Sequence, residues 1–308
     1  MIKKELGTMK KFRKEILLVV LVLISSFSFA GIDQYNLDKS WGSNGKGDGE
    51  FINPCGIAVD SKDALYVCDA GNRRIQKLSS DGKFLAKLAT ANVPRAVVVD
   101  VNGEVYVAEE GKETGLIEKF DKDGKLIKKW DFKGNAQRKI SRPGGLTIFG
   151  DFVYLGNNST REVQKFSKQG EFIKSWGNLS VCCGFLDLAA DSKGNIFVAE
   201  LGEHRVCVFD TEGKLLRNWG KYANDPGCFT GCCNPVHLAI GPKDQVFTAE
   251  KETPRVQLFE NSGKFICAFG QGVFSKACGY VDIAVDSKGT VYVVDDGSCK
   301  VHVFSPKK

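Results

Sequence analysis

The sequence predicts an all-β chain folded as a six-bladed β-propeller, its ring closed by an N-terminal strand that completes the last blade. Three observations carry this. One strand pattern occurs six times, a glycine-bearing hairpin turn follows it in five copies, and the sixth copy stops one strand short. Strand-only repeats with a period near 40 to 50 residues are the signature of propellers, in which each blade is a small four-stranded sheet.

Each copy has an apolar strand after a proline or aromatic residue, a polar turn, a second apolar strand ending in an acid, and a third apolar strand. The first reads Pro54-Cys-Gly-Ile-Ala-Val-Asp60, Leu65-Tyr-Val-Cys-Asp69, Arg74-Ile-Gln-Lys-Leu78. Its anchor Pro54 recurs as Pro94, Pro143, Phe185, Pro235 and Tyr280, at spacings of 40, 49, 42, 50 and 45 residues. A fourth strand follows turns such as Asp81-Gly82, Asp123-Gly124 and Glu212-Gly213, which are short-range hairpin signals. These strands end at Leu88, Trp130, Trp176, Trp219 and Phe269, large side chains suited to the wedge where neighbouring blades diverge.

The sixth copy ends with Val301-His-Val-Phe304 and lacks its fourth strand. Leu37-Asp-Lys-Ser-Trp41-Gly42 repeats the pattern of Phe172-Ile-Lys-Ser-Trp176-Gly177 and carries the remaining tryptophan, so it is expected to supply that strand. Such pairing removes two open sheet edges at once.

The N-terminal 30 residues read separately. Lys10, Lys11, Arg13 and Lys14 precede the apolar run Ile16 to Ile24 and a small-residue stretch ending Ser28-Phe29-Ala30, the layout of a signal peptide cleaved after Ala30. The run falls short of the roughly 20 apolar residues of a membrane span; a retained anchor is the competing expectation. Residues 31–308 then form a single propeller domain, exported to the periplasm or the extracellular space, with no transmembrane span. Without residues 1–30 the formal charge falls from +6 to +2. A near-neutral surface offers no broad footprint for nucleic acid, so none is expected as a partner.

The motifs Phe51-Ile-Asn-Pro-Cys-Gly-Ile-Ala-Val-Asp-Ser61 and Leu65-Tyr-Val-Cys-Asp-Ala-Gly-Asn-Arg-Arg-Ile-Gln-Lys-Leu78, with weaker copies over residues 35–305, resemble the NHL-repeat family. Cys232-Cys-Asn-Pro235 followed by Thr248-Ala-Glu-Lys251 is similar to a bacterial exported subgroup of it. The resemblance implies the propeller and no particular activity. The peptidylglycine amidating lyases are NHL-like propellers that hold zinc with three histidines where inner strands begin. Here only His237 stands near such a place, shifted by one position.

Nine of the 11 cysteines map to the loops that lead into each blade, or to adjoining strand ends, on one face of the disc. Cys183, Cys233 and Cys278 align two residues before the anchors of blades 4, 5 and 6, and Cys55 continues the arc; Cys182, Cys228 and Cys232 lie in the same loops. Three readings stay open: disulfides stapling the long loops, a metal site built on Cys228-x3-Cys232-Cys233-x3-His237, or a redox thiol. No Cys-x-x-Cys-His occurs for haem, both methionines fall within residues 1–30, and no cofactor is specified.

The second strands end in Asp69, Glu109, Asn157, Glu200, Glu250 and Asp295, followed by Arg74, Arg205, Arg255 and Lys300. Each acid either pairs with its local base or joins a ring that takes calcium or an anionic ligand. Glu250, Lys251 and Arg255, with His237, Glu200 and Arg205, are the candidate ligand contacts. The common hydrolase and kinase motifs are absent. The sequence therefore points to a binding or scaffold module that holds a protein, peptide or small ligand on its cysteine-rich face, without an assigned catalytic residue. The alternative is a metal- or thiol-dependent enzyme, lyase- or hydrolase-like, or a redox accessory using the same face.

Overall fold

A computed structural model describes residues 34–131, 140, 142–182, 184–275 and 281–307. The expected signal peptide, Cys183, Cys278 and the anchor Tyr280 lie outside the described residues. The rest is six four-stranded antiparallel sheets arranged as a six-bladed propeller.

Blade 1 comprises β2 (Pro54–Val59), β3 (Leu65–Asp69), β4 (Arg74–Leu78) and β5 (Phe84–Ala89), and blade 2 β6 (Val93–Val99), β7 (Val105–Glu110), β8 (Leu116–Phe120) and β9 (Leu126–Asp131). Blade 3 comprises β10 (Pro143–Phe149), β11 (Phe152–Asn157), β12 (Glu162–Ser167) and β13 (Phe172–Trp176). Blade 4 comprises β14 (Leu188–Ala190), β15 (Ile196–Glu200), β16 (Arg205–Phe209) and β17 (Leu215–Trp219), and blade 5 β18 (His237–Ile240), β19 (Val246–Glu250), β20 (Arg255–Phe259) and β21 (Phe265–Phe269). Blade 6 contributes β22 (Val281–Val285), β23 (Val291–Asp295) and β24 (Lys300–Pro306), and β1 (Tyr35–Trp41) completes it.

The closure follows the sequence. β1 lies antiparallel to β24, with Leu37 opposite Phe304 and Trp41 opposite Val301. Six apolar clusters, one between each pair of neighbouring blades, make up most of the core. The cluster joining blades 6 and 1 packs Tyr292, Val294 and Val301 against Phe51, Ile57 and Val67. The second strands are sandwiched in this way on both faces, which is why they read as near-continuous apolar runs and not as alternating ones.

Each tryptophan reaches across a blade boundary. Trp41 covers Gly82, Trp130 covers Gly170, Trp176 covers Gly213 and Trp219 covers Gly263, each glycine sitting in the hairpin between third and fourth strands of the next blade. A Cβ at any of the four would come within 2.6 Å of the indole. Bare backbone lets the flat ring fill the wedge.

Inner strands are uneven. β14 and β18 hold three and four residues, shorter than the six of β2 and seven of β6. Asp187 stands immediately before β14 and His237 is the first residue of β18.

Candidate functional site

Six inner strands begin around the axis, and the residue two places after each anchor faces its counterparts. In blades 1 to 3 that residue is Gly56, Ala96 or Gly145; in blades 4 to 6 it is Asp187, His237 or Asp282. Half the ring is therefore small and half is ionisable. The small half leaves room: a Cβ on Gly145 would stand 1.9 Å from Asp187 Oδ1. A small recess opens here, lined among others by Cys55, Arg95, Phe185, Asp187, His237 and Asp282.

The two carboxylates are fixed by the neighbouring blades. Asp187 Oδ2 accepts a 2.8 Å hydrogen bond from Leu238 N of blade 5, and Asp282 Oδ2 a 2.9 Å bond from Ile57 N of blade 1. Between them His237 Nδ1 lies 3.1 Å from Asp282 Oδ1 and 3.5 Å from Asp187 Oδ2, at ion-pair range rather than in aligned hydrogen bonds. Burial alone would lower the imidazole pKa, but the Asp282 and Asp187 carboxylates outweigh it and push it up to about 10. Burial raises the Asp187 pKa despite the same contact. The two carboxylates thus favour the imidazolium form of His237. With Nδ1 turned to the carboxylates, Nε2–H is the donor left for the recess.

The wall beside it is aromatic and cationic. Phe185 has the guanidinium carbons of Arg95 and Arg142 at 5.6 and 5.3 Å from its ring centroid, and Arg95 is paired with Glu110 at 2.5 Å. Cys55 is a buried neutral thiol, its Sγ donating to Pro94 O at 3.3 Å and its pKa pushed up to about 12 by burial. It offers no thiolate at neutral pH. The donor atoms of Asp187, His237 and Asp282 all lie within 4.8 Å of one another, so these three residues could also converge on a cation once His237 loses its proton.

The acid ring has a different job. The carboxylates of Asp69, Glu109, Glu200, Glu250 and Asp295 accept hydrogen bonds from Ile52 N, Asn92 N, Ser180 N, Thr230 N and Ser275 N, each in the loop that leads into its own blade. Three of them also hold the base expected beside them: Arg74 on Asp69 at 2.6 Å, Arg205 on Glu200 at 2.5 Å and Arg255 on Glu250 at 2.8 Å. Burial raises the Glu250 pKa against Arg255 and Gln257, whereas Arg205 and Ser180 N hold Glu200 low although burial opposes them.

The expected ligand contacts lie mostly within this network. Glu250, Arg255 and Lys251 are buried, at 0, 8 and 6% exposure, and Glu200 is buried with Arg205 spent on it. Lys251 exchanges backbone bonds with the Asn234 amide at 3.0 Å in each direction. The Glu250, Arg255, Glu200 and Arg205 side chains tie loops to blades, because a buried carboxylate must satisfy the nearest N–H and guanidinium groups first, and neither they nor Lys251 line the axial recess. Of that candidate set, His237 alone faces the recess.

The cysteines separate likewise. Cys55 stands at the axis. Cys182, Cys232 and Cys233 meet at the boundary of blades 4 and 5, with Cys182 joined to Cys233 in a disulfide. Cys228 is buried away from them, where its carbonyl accepts from Arg255 and Gln257. The spacing Cys228-x3-Cys232-Cys233-x3-His237 therefore does not assemble one site. Sequence reasoning also passed over Asp187, Asp282 and Arg95. The signal for the two acids was present: both stand at the offset from the anchor that singles out His237.

Residues 51–78 match the family model of the NHL repeat. The chain is 34% identical over 93 residues to NHL repeat-containing protein 3 of Mus musculus, covering 27% of this chain and 26% of that protein. It spans about a quarter or less of the length of the curated relatives it matches. Among solved structures it is similar to a gluconolactonase from Xanthomonas campestris, with TM-score 0.63 and 14% identity over 84% of this chain and 88% of that one. It is also similar to virginiamycin B lyase from Staphylococcus aureus, with TM-score 0.61 and 12% identity over 89 and 100%. At such identities these two speak for the fold alone. The matched repeat and the NHL-containing relative, set on a six-bladed ring, support the NHL-repeat family for this chain.

Proposed function

We propose that this protein is an exported binding propeller that takes a carbonyl- or carboxylate-bearing ligand, a peptide or a small molecule, into the axial recess. The observation that carries it is the placing of His237 in the wall of the recess, with Nδ1 between the Asp187 and Asp282 carboxylates that favour its charged form. A fixed cationic donor facing a small, mostly apolar cavity selects an acceptor atom, and the Phe185 ring with its flanking guanidinium groups suits the rest of such a ligand. Export is the setting the N-terminal 30 residues suggest, and the low net charge beyond them speaks against nucleic acid. No helix among the described residues is long and apolar enough to cross a membrane.

The same geometry favours a second reading. A positioned imidazolium that donates to an acceptor becomes a general acid if the bound group reacts, and a lyase and a gluconolactonase share this fold. A thermal-shift screen of short peptides, carboxylates and lactones decides between them. Hits are expected to weaken by roughly tenfold in His237→Gln and in Phe185→Ala. Turnover of a hit makes the protein an enzyme, and hits that ignore both substitutions place binding elsewhere.

A further inference from the structure

A second cluster, independent of the axial recess, lies where the loop leading into blade 4 meets the loop leading into blade 5. The sulfurs of Cys182, Cys232 and Cys233 all fall within 4.8 Å of one another. Cys232 Sγ is 2.9 Å from Cys233 Sγ and 4.0 Å from Cys182 Sγ. Cys182 and Cys233 are joined in a disulfide.

What keeps the sulfurs together is not the bridge alone. Leu201, Cys233 and Val236 form a small apolar cluster with Val181, packing the two loops on each other. Glu252 accepts from Cys232 N at 2.9 Å, His204 Nε2 bonds Gly231 O at 2.9 Å, and the Asn234 amide is tied to Lys251 in both directions. On the other side Ser180 is held by Glu200 and by Gly202 N. Cys233 itself sits at φ 63°, a left-handed conformation uncommon for a non-glycine residue, in this packed turn. The thiols are thus set in place by contacts that reduction of the disulfide leaves untouched. Cys182 and Cys232 are exposed, so solutes reach them.

We propose that in its reduced form this cluster is a thiolate site for a thiophilic d10 cation, copper(I) or zinc. Three preorganised sulfurs match the soft-ligand preference of those ions, while oxygen-seeking calcium and magnesium are disfavoured. An external dithiol opens the bridge by passing two electrons and two protons to Cys182 and Cys233 and becoming a disulfide itself. The cation then displaces the thiol protons, up to three per ion.

The test uses dithiol-reduced protein freed of reductant without oxygen and titrated with zinc, with copper(I) against a competing chelator, and with cobalt(II) as a spectroscopic probe. One equivalent per chain, a thiolate-to-cobalt charge-transfer band and loss of titratable thiols are expected. Cys182→Ser and Cys232→Ser should each weaken uptake at least about tenfold with circular dichroism unchanged, and His237→Gln should leave it intact. The site is overturned if the reduced wild type takes up no ion, or if a Cys182→Ser/Cys232→Ser double variant binds as the wild type does. It is equally overturned if His237→Gln loses the ion while the thiol variants keep it, since the ion would then sit at the axis.

Discussion

Arg255 and Glu250 show how a sequence-conspicuous pair becomes internal. Their side chains meet at 2.8 Å, and Gln257 and Thr230 N complete the carboxylate's partners. Removing one member strands a buried charge, so Arg255→Ala is expected to lower the unfolding free energy by about 3–5 kcal/mol in denaturant titrations. A paired Glu250→Met/Arg255→Leu exchange should recover most of that loss. Blade 2 departs from this plan: Leu116 replaces the arginine and Glu118 stands where blades 1 and 5 have Gln76 and Gln257. Burial and the facing Glu118 push the Glu109 pKa up to about 9, so Glu109 keeps its proton at neutrality. Its folded pKa exceeds the unfolded value, hence the stability it contributes is full below about pH 4.5 and is lost as pH rises toward about 9. Glu109→Gln keeps a donor for Glu118 without the titration. It should stabilise by on the order of 1 kcal/mol at pH 7, with the gain vanishing near pH 4.5 in urea titrations at the two pH values. At this scale the identity of each acid and its neighbouring base was legible in the sequence. Its burial was not, because the N–H it caps lies in a loop many residues upstream. Asp187 and Asp282 were legible in principle, since only their register with His237 marks them.

Turns and the strands that follow them carry the next level of order. Gly213 has φ 82° and would place a Cβ 2.6 Å from the Trp176 ring, whereas Gly150, at φ 58°, has nothing within 4 Å. Alanine at Gly150 meets the left-handed backbone cost alone, about 1–2 kcal/mol. Gly213→Ala adds overpacking and should cost about 2–4 kcal/mol, with altered tryptophan fluorescence that Gly150→Ala does not produce. Both the glycine hairpins and the recurrent tryptophans could be read from the chain. That each ring lands on the next blade's glycine could not, because the contact crosses a boundary that no local pattern describes.

At the scale of the whole ring, one strand pair does what five chain connections do elsewhere. Tyr35 stacks on Phe269 with centroids 4.4 Å apart, Trp41 lies beside Phe51 and Ser40 Oγ meets His302 Nδ1 at 2.7 Å, so β1 touches blades 5, 6 and 1 together. Deleting residues 35–42 should abolish a single cooperative calorimetric transition and yield aggregates on size exclusion, since β24 then presents a bare edge. This closure was the most legible feature of all, because a missing strand and a surplus one share a motif. Its kinetic meaning is less obvious. Leu37 finds its partner Phe304 only after 267 further residues have been made, which takes about 13–53 s at ~5–20 residues per second. The strand synthesised first is therefore the last to pair, and for that interval nascent chains meeting one another can exchange β1, giving swapped dimers from the same contacts that seal the monomer.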